Sequence, residues 1–409
     1  MEENSNTLKI GEVIIIITIT CIFSAFAGFS LARIKYTEVD NITESNSAQD
    51  PVNNFVKQYN YIKENYYDKD KIDDEDMMKI ALQSVLSELG IEDDYSLYMK
   101  DDEYSQLNLN LNGSYKGLGV SIYKDTETGK IIIVDVMENS PAKKANLEVG
   151  DIIISIDDQK AEDLSTQDFS NYVIKSNKEK FIIKIERDSK EQEIEVVKGQ
   201  VEIESVYSEV INKDSKKVGY IAMSIFAANT YDQFKTALDK LEKENIDSLV
   251  IDLRGNTGGH LQEVTKIIGL FLSKDKVVYQ LEKNGEATKY YSEGSVDKQY
   301  PIVFIGNGGT ASASEVFIIS LKENLNAKLV GTKTYGKGTV QELINMSNGD
   351  QYKFTTKKWL SPKGVWINDT KGIEPDIKIE LSEDYYSNPT KQKDNQLQKA
   401  IEESLKDVK

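Results

Sequence analysis

Two strand-like segments in the second half of the chain each end in a glycine-rich turn that leads directly into a helix. The first reads SLVIDLRGNTGGHLQEVTKIIGLFL and the second reads PIVFIGNGGTASASEVFIISLKEN. Repeated alternation of this kind predicts an α/β layered core. In open α/β sheets, binding and catalytic sites collect where the strands end and the helices begin. The two turns are therefore the first candidates for a functional site.

The second turn carries three hydroxyl groups, those of Thr310, Ser312 and Ser314, and spacing alone does not choose among them. A hydroxyl is a poor nucleophile without a base. Downstream, TYGKGTVQ places Lys337 between two glycines. Burial can lower the pKa of a lysine from about 10.4 by up to about 5 units, so a neutral amine can serve as that base. Gln341 shares a face with Lys337 and can hold the amine without adding a charge. The pattern predicts a serine protease with a lysine base.

Composition narrows the alternatives. The 409 residues include one histidine, His260, and one cysteine, Cys21, which excludes multi-histidine metal sites, Cys-His zinc fingers and a disulfide within the chain. The net charge of −18 argues against binding of nucleic acid through its phosphates. The base of a hydrolase must therefore be a lysine, a carboxylate or His260. His260 is interpreted as an incidental residue of the first helical turn, with a role in lining the substrate groove as the alternative.

An oxyanion hole requires main-chain N–H groups aimed at the developing negative charge. The helix that begins after Ser312 has free N–H groups in its first turn. The pair Gly258 and Gly259 in the first turn offers a second unblocked amide. Each glycine pair taken alone also fits an ordinary strand-to-helix turn, but both turns together with the serine and the lysine favour a site.

The N-terminus, residues 1–35, is predicted to be a transmembrane signal anchor. Its uncharged run, Val13–Leu31, would be about 28 Å long as a helix, close to a bilayer core of about 30 Å. A cleaved signal peptide is the alternative, because Ala25–Ala27 resembles a cleavage site. One basic residue precedes the run and two follow it, so charge alone weakly places the body in the cytoplasm. Residues 36–51 are polar and acidic and predict a flexible linker.

Residues 52–112 carry apolar side chains at three- and four-residue steps and predict an N-terminal helical region, interpreted as a small packing unit or dimer arm. Residues 381–409 predict a C-terminal amphipathic helix. Its apolar face is expected to pack on the N-terminal helices or on a partner subunit, and consists of Leu397, Ile401, Leu405 and Val408.

Residues 113–199 resemble a bacterial PDZ domain in the order of their segments, which include GSYKGLGVSIYKD, KIIIVDVM and NSPAKKANLEVGDIIISIDDQ. The resemblance implies that a glycine-rich loop binds a peptide carboxylate through its N–H groups while the peptide extends the sheet edge. Lys175, near the end of the following helix, could add positive charge. The alternative is a simple tight turn. The predicted loop consists of Lys116, Gly117, Leu118, Gly119 and Val120.

Four motifs, GTASASE, TYGKGTVQ, DLRGNTGG and KGIEPD, together resemble the C-terminal processing peptidases, also called tail-specific proteases. The similarity runs from about Phe55 to the end of the chain. It implies that Ser312 is the nucleophile, that Lys337 is the general base and that Gln341 orients it. The amides of Gly258 or Gly259 and of Ala313 would form the oxyanion hole. The resemblance implies neither a metal nor an organic cofactor.

The family resemblance also implies a multidomain α/β and β fold, in which the helical arm and the PDZ domain precede an α/β (ClpP/crotonase-like) protease core at residues 200–380. The implied activity is endopeptidase cleavage of protein substrates near the C-terminus, with the PDZ domain recognising C-termini and gating access. Relatives usually face outwards from the cytoplasmic membrane, which overrules the weak charge bias. The layout is similar to that of the sporulation-signalling members, which implies a homodimer.

One segment, Asp93–Ser96, departs from the family pattern, which often has Asp-Pro before the aromatic residue. It is expected to belong to the helical region and not to touch the catalytic residues. The alternative to an active protease is a catalytically silent PDZ adaptor or chaperone that only binds peptide termini. An inactive relative would tend to lose the serine, the lysine or the glutamine, and this chain retains all three.

Overall fold

The computed structural model describes residues 50–89, 95–99, 108–346, 350–406 and 408. They form two compact units: the inserted unit, within residues 106–246, and the core unit, which combines the described residues before 106 with those after 246. The predicted membrane span at residues 1–35 lies outside the described residues. Among the residues that are described, no helix combines the length and the apolar character that a bilayer crossing requires.

The inserted unit is built on an antiparallel sheet, in which the strands follow the spatial order β3 (Val120–Lys124), β4 (Ile131–Val136), β5 (Ile152–Ile156), β7 (Lys180–Arg187) and β8 (Lys190–Val197). Alternate side chains of β4 and β7 point inwards, so Ile131, Ile133, Phe181, Ile183 and Ile185 are fully buried. The elements are β2 (Ser114–Gly117), β3 (Val120–Lys124), β4 (Ile131–Val136), α3 (Pro141–Lys144), β5 (Ile152–Ile156), β6 (Gln159–Lys160), α4 (Thr166–Ile174), β7 (Lys180–Arg187), β8 (Lys190–Val197), β9 (Gly199–Glu202), β10 (Val206–Lys213), β11 (Lys216–Met223) and α5 (Thr230–Lys243).

Two features of the inserted unit differ from a simple PDZ domain. Helical residues 108–112 precede β2, and β10 and β11 form an antiparallel hairpin against which α5 packs. The predicted domain boundary between residues 199 and 200 therefore falls inside this unit.

The core unit contains a parallel sheet and a separate antiparallel sheet. Its elements are α1 (Pro51–Asn65), α2 (Asp74–Leu89), β1 (Leu97–Met99), β12 (Ser248–Asp252), α6 (Leu261–Ile268), β13 (Val277–Lys283), β14 (Glu286–Tyr291), β15 (Ile302–Gly306), α7 (Ala313–Leu325), β16 (Lys328–Gly331), β17 (Thr339–Asn345), β18 (Gln351–Leu360), β19 (Ile377–Lys378), α8 (Glu383–Ser387) and α9 (Asn395–Leu405).

In the parallel sheet, β12 pairs with β15, β15 with β16 and β16 with β19. Every residue of β12 and β15 is buried, as expected for parallel strands covered on both faces. Helix α9 packs on β12, β15 and β16, with Leu397 and Ile401 buried. The expectation that the C-terminal helix would pack on the N-terminal helices or a partner is wrong in this respect, because its apolar face covers the sheet of its own unit.

The antiparallel sheet of the core unit has the order β1-β18-β13-β14, and β17 also pairs with β18. Strand β1 lies inside the region predicted to be helical. Its three residues pair with Gln351–Lys353 of β18. Three residues are too few to show a periodicity of their own, so a tertiary contact decides their conformation.

A buried ionic cluster connects the end of β12 to the start of α9. The Arg254 guanidinium donates hydrogen bonds to Asp252 at 2.5 Å and to Asp394 at 2.7 Å. Burial alone would lower the pKa of Arg254, but the carboxylates of Asp252 and Asp394 raise it above its ordinary value. The arginine is therefore the cation that compensates two buried carboxylates next to the first glycine-rich turn.

Replacing Arg254 with alanine should leave both carboxylates buried without their cation and lower the free energy of unfolding by about 3–5 kcal/mol. Urea denaturation would measure the change. The control is Lys235→Ala, which removes an ion pair between the exposed side chains of Lys235 and Asp239 on α5 and should leave stability nearly unchanged. Equal effects of the two substitutions would contradict a structural role for the cluster.

Candidate active site

The two glycine-rich turns meet at the carboxyl end of the parallel sheet. Strands β12 and β15 are in parallel register, with Asp252 opposite Ile305, so their following turns emerge side by side. Asn256 joins the turns, because its main-chain oxygen accepts hydrogen bonds from Ala311 N at 3.0 Å and from Ser314 Oγ at 2.9 Å. This geometry brings together the two turns that the sequence marks as candidates for one functional site.

Gly258 makes the closest approach between the turns. A Cβ atom at this position would lie 2.9 Å from Ala311 O, Ala313 N and Ser312 Cβ, and its φ of +105° disfavours any other residue. Its N–H group donates to Asn256 Oδ1 at 3.0 Å. Gly258 thus allows the turns to touch, and its amide is already engaged within its own turn.

The Ala313 amide is differently placed. Ala313 is the first residue of α7, where N–H groups lack acceptors within the helix, and its N–H group donates to no acceptor among the described residues. Gly259 takes part in a β-bridge. Of the three residues predicted to supply the oxyanion hole, Ala313 therefore has an available donor, and Gly258 does not.

The three candidate hydroxyls are distinguished by burial and bonding. Thr310 and Ser314 are fully buried, and their hydroxyls donate to the main-chain oxygens of Leu253 and Asn256 at 2.8 and 2.9 Å. Ser312 is partly exposed and immediately precedes α7 with φ +56° and ψ −116°. Positive φ is a costly conformation for a non-glycine residue and is concentrated at functional sites. The geometry favours Ser312 over its neighbours.

Lys337 and Gln341 are both buried, with 3% and 1% of their surfaces exposed. The Gln341 amide nitrogen donates to Thr339 Oγ1 at 2.9 Å and to Thr355 Oγ1 at 3.0 Å. Its carbonyl oxygen is buried and accepts no hydrogen bond from the residues that the structure describes. The side chain is thus fixed with one acceptor unfilled, which suits a partner such as a lysine amine.

Two tryptophans hold the main chain around Lys337. Trp359 Nε1 donates to Lys337 O at 2.7 Å, and Trp366 Nε1 donates to Gly338 O at 3.0 Å. The sequence contains only these two tryptophans. The position of the lysine is therefore set by the main chain, and intrinsic tryptophan fluorescence reports on this loop alone.

Glu315 connects the serine turn to the lysine loop. One carboxylate oxygen, Oε2, accepts hydrogen bonds from Ser312 N and from Lys337 N, each at 2.9 Å. The other, Oε1, accepts from Thr334 Oγ1 at 2.5 Å and from Gly336 N at 2.7 Å. Burial raises the pKa of Glu315, and these four hydrogen bonds oppose that effect. Sequence analysis missed this residue although it belongs to the motif GTASASE.

Tyr95 is a second residue of the site that the sequence did not reveal. Lys337 Nζ lies 4.1 Å from the centroid of the Tyr95 ring. The expectation that Asp93–Ser96 would not touch the catalytic residues is therefore wrong for Tyr95. The contact joins positions that are far apart in the chain, and neither periodicity nor motif spacing carries information about such a pair.

His260 is 6% exposed and occupies the position before α6, as the interpretation of a helix-start residue requires. Within the described residues, no group of three or more histidine, cysteine, aspartate or glutamate side chains is arranged to hold a metal ion.

The inserted unit contains a groove of about 160 Å³ beside the edge strand β3 and helix α4. Of the predicted loop residues, Gly117, Leu118 and Val120 line it. Lys116 instead pairs with Glu179 at 2.7 Å, and Gly119 is not part of the lining. Lys175 ends α4 and does not line it either. The lining is largely apolar and consists of Leu109, Asn110, Tyr115, Gly117, Leu118, Val120, Ile122, Phe169, Ser170, Val173, Ile174 and Ile203.

Lys198 is the cation that sequence analysis missed in this unit. Its amine donates to Val173 O, Ile174 O and Ser176 O at 2.7, 3.0 and 3.0 Å, at the carboxyl end of α4. Burial lowers the pKa of Lys198, and the charge of Lys116 lowers it further. Nothing in the local sequence distinguishes Lys198 from the other lysines.

Comparison with known proteins identifies two domain families in the chain. Residues 217–379 match the model of peptidase family S41, and residues 116–197 match a PDZ domain model. The chain is 38% identical to the carboxy-terminal processing protease CtpB of Bacillus subtilis over 351 residues, which cover 84% of this chain and 70% of that protein. The chain belongs to peptidase family S41. It is a serine-type peptidase with a PDZ domain, similar to the C-terminal processing proteases.

The chain is also similar to two other C-terminal processing proteases. The carboxy-terminal processing protease CtpA of Bacillus subtilis is 32% identical over 329 residues, which cover 80% of this chain and 68% of that protein. The solved structure of a photosystem II D1 C-terminal processing protease aligns with a TM-score of 0.48 and 22% identity over 80% of this chain and 92% of that one.

In this S41 peptidase, Glu315→Gln tests whether the hydrogen bonds that the Glu315 carboxylate accepts are needed for activity. An amide NH₂ group would face at least one of them and leave it without an acceptor, at a cost of about 1–3 kcal/mol. Because about 1.4 kcal/mol corresponds to a factor of ten in rate, we expect kcat/KM for a protein substrate to fall about ten- to hundredfold. The control is Glu323→Gln on the same helix, where Glu323 accepts a hydrogen bond from Lys363 N. An unchanged rate for Glu315→Gln would contradict the connecting role.

Proposed function

We propose that Ser312 is the nucleophile of this peptidase, that Lys337 is its general base and that Gln341 orients the lysine amine. The observation that carries the proposal is the shared contact with Glu315, whose Oε2 binds the main-chain nitrogens of both Ser312 and Lys337. The strained backbone of Ser312, the burial of Lys337 and the unfilled acceptor of Gln341 support the same roles.

In the proposed reaction, neutral Lys337 removes the proton from Ser312 Oγ as this oxygen attacks the scissile carbonyl carbon. The N–H groups of Gly259 and Ala313 bind the oxyanion that forms. The ammonium of Lys337 then gives its proton to the leaving amine, and an acyl-enzyme remains on Ser312. Water, activated by the same amine, hydrolyses the acyl-enzyme and restores the serine.

The PDZ groove is proposed to bind the C-terminus of a protein substrate, so that cleavage occurs near that end. Among the described strands, β3 pairs with β4 alone, so its other side can accept the substrate as an added strand. The apolar lining suits an aliphatic C-terminal side chain, and the amine of Lys198 adds positive charge at the end of α4. Occupation of the groove would gate the activity.

We further propose a single membrane span at the N-terminus with the catalytic body outside the cytoplasm, supported by the uncharged run Val13–Leu31 in the sequence.

A homodimer through the N-terminal arm is also proposed. Helix α1 has no buried residue, and the arm exposes large apolar side chains that include Phe55, Ile62 and Ile80.

The catalytic proposal is tested with Ser312→Ala and Lys337→Met in cleavage of an unstructured protein such as casein. We expect both variants to lose activity by at least about 100-fold, because each removes a group that takes part in bond formation or proton transfer. The wild-type rate should rise with pH as the lysine deprotonates. The control is Lys333→Met, which removes an exposed pair with Glu374 and should retain activity.

Cleavage by Lys337→Met at the wild-type rate would exclude the lysine as base. Equal cleavage by every variant would indicate a contaminating protease. If the wild type itself does not cleave casein, the same assay with a peptide added for the PDZ groove distinguishes a gated protease from a silent adaptor.

The groove proposal is tested with fluorescent peptides and the full chain carrying Ser312→Ala, which prevents turnover. A peptide ending in a free carboxylate on an aliphatic residue should bind, and its C-terminal amide should bind at least about ten times more weakly. Val173→Glu places a charge in the apolar groove and should abolish binding. Val197→Glu, on an exposed position of β8, is the control and should bind normally. Equal binding of acid and amide would contradict recognition of a C-terminus.

A further inference from the structure

The ring of Tyr95 lies directly against the amine of the proposed base. Lys337 Nζ is 4.1 Å from its centroid, which is within the range of an attractive contact between a cation and an aromatic face. Tyr95 is partly buried and stands two residues before β1. The residue thus comes to the active site from the N-terminal arm of the core unit and not from either glycine-rich turn.

The position of Tyr95 is fixed by contacts that also involve Gln341. Ser96 Oγ accepts a hydrogen bond from Thr355 N at 3.1 Å, and Thr355 Oγ1 accepts one from Gln341 Nε2 at 3.0 Å. Strand β1 continues this attachment by pairing with β18. One residue of β18 therefore binds both the Tyr95 segment and the glutamine that is proposed to orient the lysine.

An aromatic face attracts an ammonium group far more than a neutral amine, because the ring quadrupole interacts with charge. Contact with Tyr95 therefore favours the protonated form of Lys337, which is not the form that acts as a base. Burial has the opposite effect and favours the neutral amine. The two influences act on the same nitrogen.

We propose that Tyr95 is a positioning residue that holds the Lys337 ammonium in the resting enzyme and so sets the pH at which the peptidase becomes active. This inference rests on the proposed role of Lys337 as general base. Tyr95 acts through the lysine and has no direct part in bond formation.

Other charged groups lie on the elements around Lys337, including the buried Lys353 of β18. Glu315, from α7, binds the main-chain nitrogen of Lys337. On β17 and β18, Glu342 pairs with Lys357, and Lys358 lies 4.1 Å from the centroid of the Trp366 ring. The Tyr95 hydroxyl is itself titratable. Its contribution is separated from that of the ring by Tyr95→Phe.

The test is the pH profile of kcat/KM for a peptide substrate with the full chain. Tyr95→Leu removes the aromatic face, and the midpoint of the profile should move to lower pH by about one unit. Tyr95→Phe keeps the face and should keep the wild-type midpoint. The matched control is Tyr98→Leu on the same segment, because the Tyr98 ring lies 5.0 Å from Lys79 Nζ and belongs to another ion contact.

A midpoint that is the same in wild type and Tyr95→Leu would overturn the proposal, as would an equal shift in Tyr98→Leu, which would trace the effect to loosening of β1. Emission from Trp359 and Trp366 checks in each variant that the loop around Lys337 is intact, because both indoles bind its carbonyls.

A second comparison keeps the shape of the aromatic side chain at position 95. It applies even if the Tyr95→Leu variant does not fold. Phenylalanine at position 95 is compared with trifluorinated phenylalanine, whose ring face attracts cations weakly. The fluorinated variant should have the lower midpoint, and coincident midpoints would overturn the proposal. Lys337→Met separates a failure of the proposed function from a failure of this inference. Activity in that variant refutes the lysine base itself. If that variant is inactive and the Tyr95 variants keep the wild-type midpoint, only the role of Tyr95 is refuted.

Discussion

The geometry of the active site depends on the hydrogen bonds that the Glu315 carboxylate accepts. Ser312 belongs to the turn before α7, and Lys337 belongs to a separate loop after β16. Both segments are joined through the two oxygens of one buried side chain, which accept four hydrogen bonds. A buried carboxylate is costly unless its acceptors are filled. The same four donors that stabilise Glu315 therefore also fix the serine relative to the lysine.

The parallel sheet supplies the frame for this contact. Because β12 and β15 are neighbours in parallel register, their turns leave the same edge of the sheet, and the absence of a side chain at Gly258 lets the main chains touch. Arg254 and its two carboxylates then attach the first turn to α9. The strained conformation of Ser312 is held from both sides, which is how an unfavourable φ can persist in a folded protein.

Much of this site could be predicted from the sequence, because its chemistry lies in short motifs. The strand-turn-helix pattern indicated the α/β core. The resemblance carried by the motifs implied roles for Ser312, Lys337 and Gln341, and the structure joins the first two through Glu315. Tyr95 and Lys198 could not be found in this way, since each acts through contacts with residues distant in the chain. Strand β1 was missed for a related reason: its conformation comes from pairing with β18 and not from its own three residues.

Lys337 is subject to two opposing influences, and their balance has a consequence for control. Burial favours the neutral amine that can accept the serine proton, while the Tyr95 ring favours the ammonium. Tyr95 precedes β1, against which α2 packs, and Tyr98 of β1 shares Asp350 with Lys79 of α2. The N-terminal arm therefore lies one short strand away from the proposed base. A displacement of β1 would withdraw the ring and leave burial to act alone. If Lys337 is the base that we propose, the contact with Tyr95 in the resting enzyme favours its inactive, protonated form.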